Sequence, residues 1–440
     1  MSKKHVLWLY QELPDLVSRG VLTGETAERL RRHYGEAEPI NKRRIAFLTF
    51  GILGAFLVGS GSILLLGHSW ENLSRPVRVF LSLAPLVIAQ VLAGWTVWRR
   101  WESAAWCEST AVFLMFSIGA SITLVGQTYH VPGDFAQLLL IWMLLSAPLI
   151  YLLNTSLCAA SYLVGITLWA CTARMQSQDA LLFWILAAVA IPRLWMTARE
   201  NPYAIRPVLG LWSLALCLCV ATGVTMAHAL PGLWIIVYSS LFAVFCLAGS
   251  IWFLEAPSFW QRPLAAVSAV GIPVLCLMFS FEWPWEEIGW HHYLPPSGYR
   301  RWFALYDFVL AAALTTAFIF LLVRSIRKLQ MHQPLFGAIA ILAVICYFLV
   351  AADPRGTAIA RVLFNLYLLA LGLATVVVGI RNNHLGTVNF GLLILSALIV
   401  TRFFDSDLGF VTRGVAFIVV GIGFLTTNLM LLQRTKGGTQ

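Results

Sequence analysis

Four arginines, Arg355, Arg361, Arg402 and Arg413, stand close to three aspartates, Asp353, Asp405 and Asp407, at the ends of long apolar runs. A planar guanidinium can grip a phosphate or carboxylate through two parallel hydrogen bonds. Two readings of the group stay open. In one, the arginines staple helix ends by pairing with the aspartates and reaching lipid head groups. In the other, they line a shared pocket for an anionic head, with Asp307 and Asp134 as proton-linked groups or counter-charges. Asp307 lies six positions past Arg301 in an apolar run, about 9 Å along a helix. A charge there costs at least about 2.5 kcal/mol and marks a functional position by default.

A second polar element, Gly126-Gln-Thr-Tyr-His-Val-Pro-Gly-Asp134, interrupts two apolar runs. In the pocket reading the substrate-binding set is Arg361, Arg402, Arg413, Asp307, Asp134, Gln127, Tyr129 and His130. His130 is either a proton relay or a hydrogen-bonded turn residue. Glu108, early in its run, needs a partner that its neighbours in sequence do not supply. The stretch 281–302 is rich in Trp and Tyr and carries Glu286, Glu287, His291 and His292. It reads as a segment lying flat at the membrane interface, with a lid or a metal site as alternatives. The His-Glu-x-x-His order is absent, and neither a phosphate-binding Gly-x-x-x-x-Gly-Lys-Ser/Thr loop nor a Gly-x-Ser-x-Gly nucleophile occurs. No catalytic residue, metal or cofactor is therefore assigned.

The elements that must position these residues follow from composition. Of 440 residues, 59% are hydrophobic and 11% charged, against about 25% charged in a soluble domain. That excludes a disordered chain, a nucleic-acid-binding domain and a soluble enzyme. A bilayer core needs about 20 apolar residues per helix, and that ruler yields about fourteen spans. They are 45–67, 77–98, 104–127, 135–153, 157–171, 180–195, 208–227, 233–254, 263–281, 303–323, 335–350, 359–380, 385–400 and 411–432. The expected fold is an all-α polytopic bundle over 45–432, between a helical module at 1–44 and a tail at 433–440.

With the N-terminus inside, 21 of the 30 Lys and Arg fall on the inner side. The outer nine are Arg75, Arg78, Arg174, Arg300, Arg301, Arg355, Arg361, Arg402 and Arg413. This bias places both termini in the cytoplasm. Asn154–Ser156 is the one predicted inner loop without a cation. In the N-terminal module, Pro14 suits a first helical turn, Gly20 a left-handed stop and Thr23 an N-cap for a second helix. That module meets anionic lipid head groups or docks a partner protein. The eight cysteines lie in or beside apolar runs without a Cys-x-x-Cys pair, as small packing residues. Glycines of the first and last spans suit close helix packing.

The start, Leu13-Pro-Asp-Leu-Val-Ser-Arg-Gly-Val-Leu-Thr23 with Arg29-Leu-Arg-Arg-His-Tyr-Gly35, resembles bacterial membrane proteins grouped as domain of unknown function 2157. So does the Gly126–Asp134 element. The resemblance implies a cytosolic helical module followed by many spans, and it carries no activity, cofactor or site residue. The sequence alone favours a transporter or translocase for an amphipathic anionic, lipid-linked substrate, with its site near the outer leaflet. A membrane-embedded glycan or lipid transferase or polymerase, and a non-catalytic scaffold or sensor, are the alternatives.

Overall fold

The computed structural model describes residues 3–34, 72–200, 202–226, 230–253, 258–286, 288, 300–326, 332–353, 355–403, 411, 414–415, 418 and 421–422. Among the described residues the chain is helical, with no strand. It divides into two compact units, Met1–Arg78 and Val79–Gln440.

In the first unit, α1 (Lys3–Ser18) packs on α2 (Gly24–Tyr34), burying Leu13 and Ala27. Pro14 lies inside α1 rather than in its first turn, because the helix begins eleven residues upstream. There the proline removes one internal N–H instead of opening the helix. Gly20 takes φ +71°, and the N–H groups of Val21 and Leu22 return to the Leu16 carbonyl at 3.0 and 3.2 Å, a left-handed helix stop. The Thr23 hydroxyl then accepts from Thr26 N–H at 3.3 Å, the expected N-cap.

The remaining helices are α3 (Arg75–Arg99), α4 (Ala104–Tyr129), α5 (Phe135–Ser146), α6 (Leu149–Leu152), α7 (Ser156–Met175), α8 (Leu182–Glu200) and α9 (Ile205–Thr225). They continue as α10 (Leu233–Trp252), α11 (Pro263–Phe279), α12 (Arg300–Ile326), α13 (His332–Gly337), α14 (Ile339–Ala352), α15 (Gly356–Arg381) and α16 (Leu385–Phe403). Eleven segments are long and apolar enough to cross a membrane, and α11 is a shorter apolar helix. The chain is a polytopic helical membrane protein. Of the fourteen expected spans, 45–67 lies outside the described residues and 411–432 almost entirely so. Two short ones, 157–171 and 385–400, extend to 20 and 19 residues as α7 and α16. The added turns carry Arg174 and Arg402, whose long stems suit apolar surroundings while their heads find polar ones.

Two buried clusters hold the second unit together. One joins α3 through α9 around Tyr162, Phe183 and Leu139; the other joins α9 through α16 around Phe279, Trp285 and Phe364. Helix α9 serves both, with Leu211 and Ala215 in one and Cys217 and Ala221 in the other. All eight cysteines are unpaired and buried or half-buried.

Helices α15 and α16 approach closely along one seam. A Cβ built on Gly391 would stand 2.7 Å from Val376 N and 2.9 Å from Gly372 O, and one on Gly379 would stand 2.6 Å from Val388 N. These obstacles are backbone, so neither side can yield. Of the glycines expected to pack closely, those of the first span lie outside the described residues, and Gly414 and Gly421 would meet nothing within 4 Å. Gly391→Leu should cost about 1–3 kcal/mol through overpacking. Thermal unfolding in detergent checks this against Gly94→Leu, where a side chain enters open space and the melting temperature should hold.

Candidate functional site

The Gly126–Asp134 element is a stop–turn–start between α4 and α5. His130 closes α4 in the left-handed conformation (φ 51°, ψ 41°), and Val131 N–H returns to Gly126 O at 3.0 Å. Pro132 and Gly133 carry the turn. Asp134 then caps α5, its Oδ1 accepting from Gln137 N–H at 2.7 Å. The spacing of the motif is thus first a demand of helix geometry. It also has a second consequence, because this turn closes one end of a groove of about 1210 Å³ between α3, α4 and α5.

The groove walls are aliphatic, with Leu83 and Leu86 from α3, Ile118 and Ile122 from α4, and Ile141 and Leu145 from α5. Four of its polar groups, Gln127, His130, Asp134 and Gln137, gather at the turn, while Ser121 and Thr123 of α4 and Gln90 of α3 lie along the walls. The Ser121 hydroxyl donates to Ser82 O at 2.7 Å and ties α4 to α3 beneath the groove. Long walls of one character and a hydrogen-bonding end of the other match an amphipathic molecule. Gln90 and Gln137 were not singled out by sequence; the only signal was that Gln137 stands three residues after a helix cap. Tyr129 is exposed and does not line the groove.

The arginine group lies elsewhere. Arg402, in the last turn of α16, donates through Nε to Asn365 Oδ1 at 2.9 Å and through Nη2 to Ser280 O and Oγ, both at 2.6 Å. Its Cζ sits 4.9 Å over the Phe281 ring. Ser280 caps the C-terminus of α11, so the cation meets the negative end of a helix dipole. Asn365 in turn donates to Arg361 O at 2.7 Å, and Arg361 Nη1 pairs with Glu282 at 3.1 Å. The ends of α11, α15 and α16 are thereby clasped together. Asn365 and Ser280, which make this possible, carried no mark in the sequence. Asp353 accepts from Arg355 N–H at 2.8 Å within its own turn. Arg413, Asp405 and Asp407 lie outside the described residues.

Asp307 is fully buried in α12. Beside it, Tyr306 shares a hydrogen bond with Thr225 at 3.0 Å, and Trp184 Nε1 donates to the same hydroxyl at 3.3 Å. None of Asp307, Arg361 and Arg402 lines the groove, so the eight candidate residues do not converge on one cavity. In the Trp-rich stretch, Trp285 folds inward, donating to Phe279 O at 2.8 Å, while Trp283 is exposed and stacks on Trp234. Glu287, His291 and His292 lie outside the described residues, among which no metal-ligating cluster occurs.

Glu108 finds its partners on α7. Its two carboxylate oxygens accept from Ser156 N–H at 2.9 Å and Leu157 N–H at 2.8 Å, and Arg206 Nε stands 3.9 Å away. A carboxylate from 48 residues upstream therefore caps a helix whose own N-cap, Thr155, makes no side-chain bond.

A family model described as a predicted membrane protein, domain of unknown function 2157, matches residues 14–159. The matched stretch runs from α1 into α7 and contains every groove-lining residue, Glu108 and its two N–H partners. No curated protein and no solved structure matches the chain.

Proposed function

We propose that the protein binds an amphipathic, lipid-like molecule in the groove between α3, α4 and α5 and moves it across the bilayer. The groove itself carries this reading: about 1210 Å³ of mostly aliphatic wall ending in Gln127, His130, Asp134 and Gln137. The volume exceeds that of an ordinary drug-sized pocket, which runs to about 1,000 Å³, and leaves room for an acyl chain with its head. No Lys or Arg lines it, so the head group is one held by hydrogen bonds rather than by guanidinium pairing. The cation bias of the loops puts the polar end in the outer leaflet. The arginines then serve as a clasp of helix ends, a role supported by the three hydrogen bonds of Arg402.

Ile141 and Leu145 face the groove and are half exposed, so Trp can replace them without entering the packed core. In proteoliposomes, transfer of a fluorescent phospholipid between leaflets should fall at least tenfold in the Ile141→Trp, Leu145→Trp double variant, with folding intact. Unchanged transfer in a folded double variant would exclude the groove as the route.

A further inference from the structure

At the other end of α4 lies a smaller, polar cavity of about 270 Å³, framed by the loop before α7, the end of α8 and the start of α9. Helix α4 has 26 residues and so separates this cavity from the groove's polar turn by about 39 Å. The two places are chemically and spatially independent.

Arg193 of α8 lines this cavity, yet it is 92% buried, with 8% of its surface exposed. Its Nη2 donates to Asn154 O at 2.8 Å, while Nε has no hydrogen-bond partner. The Ser156 hydroxyl, on the same cavity, is buried and also without a partner. Among the described residues no carboxylate pairs with Arg193. The nearby carboxylate of Glu108 is already engaged by two backbone N–H groups and faces Arg206. A buried guanidinium with no direct ion pair and with an acceptor missing at Nε is costly to maintain, and such a group calls for a further partner.

The geometry points to a compact oxyanion in this cavity, a phosphate or carboxylate held by Arg193 with Ser156 and Arg206 beside it. Glu102 and Glu200 also line the space and oppose a second negative group. The ligand is therefore a single oxyanion on a neutral or cationic remainder, not a polyphosphate. A soluble phosphate ester and a phospholipid head group share this chemistry.

The test uses the full chain in maltoside micelles at constant ionic strength. Inorganic phosphate, replacing chloride, should raise the melting temperature saturably; a short-chain phosphatidic acid forms the second arm. Arg193→Gln should weaken the response at least tenfold. Because Arg193 is also structural, Ala204→Trp is the companion variant: Ala204 lines the cavity, and an indole there fills the space while leaving Arg193 in place. It too should lose the response. Saturation by phosphate assigns the site to a soluble oxyanion, and saturation by phosphatidic acid alone assigns it to a lipid head. No saturation in either arm, meaning that the cavity holds only water, or a full response in Ala204→Trp, overturns the proposal.

Discussion

Glu108→Leu is expected to destabilise the second unit by about 3–5 kcal/mol, the range for breaking a buried charged partnership. The carboxylate is 5% exposed and supplies both acceptors for the first N–H groups of α7. Leucine fills the volume and leaves Ser156 N–H and Leu157 N–H without their carboxylate acceptor, each costing about 1–3 kcal/mol. It also removes the negative charge that suits a helix N-terminus. Glu108→Gln keeps one acceptor oxygen and should fall between wild type and Glu108→Leu. Guanidinium or thermal unfolding in detergent reads the series. Equal stability of all three proteins would mean that α7 is held by packing alone.

Arg402→Gln carries the second large effect. The arginine joins three helix ends through hydrogen bonds to Ser280 and Asn365, and hydrogen bonds to a charged group contribute about 1.5–3 kcal/mol each. Glutamine cannot reach both partners, so a loss of about 2–4 kcal/mol is expected. The neighbouring Arg361–Glu282 pair offers a built-in contrast. Glu282 is 60% exposed, so Glu282→Gln should change stability by under about 1 kcal/mol. If Arg402→Gln instead left the melting temperature unchanged and altered only substrate transfer, the pocket reading of the arginines would replace the clasp.

The span pattern was legible because hydrocarbon imposes a length and a composition on every helix, and those survive without any knowledge of neighbours. Helix ends were legible where the signal is local, as at Gly20 and Thr23. Pro14 misled because a proline inside a helix and one in its first turn look alike without the upstream register. The partners of Glu108 could not be found by inspection of nearby residues, since they are two backbone N–H groups 48 and 49 positions away. The loop Asn154–Ser156, expected on the inner side and without a cation of its own, borrows from other helices. Arg193 reaches the Asn154 carbonyl, and Arg206 stands by the carboxylate that caps α7. The candidate residues were grouped in sequence by charge, yet space divides them between a clasp, a groove and a buried position in α12. The groove itself left little trace, because its walls are the same aliphatic residues that face lipid anywhere. Only the Gly126–Asp134 turn gave it away, and that turn's spacing is explained first by capping.

Transfer by this protein requires that an amphipath occupy the groove between α3, α4 and α5. A phospholipid bearing a diazirine in its acyl chain, photolysed with the protein in bilayer nanodiscs and mapped by mass spectrometry, addresses it directly. The prediction is concentrated labelling of Leu86, Ile118, Ile122 and Ile141, reduced several-fold when excess unlabelled lipid competes. Labelling spread evenly over exposed apolar residues such as Phe80, Ile319 and Phe348, with no competition, would contradict it.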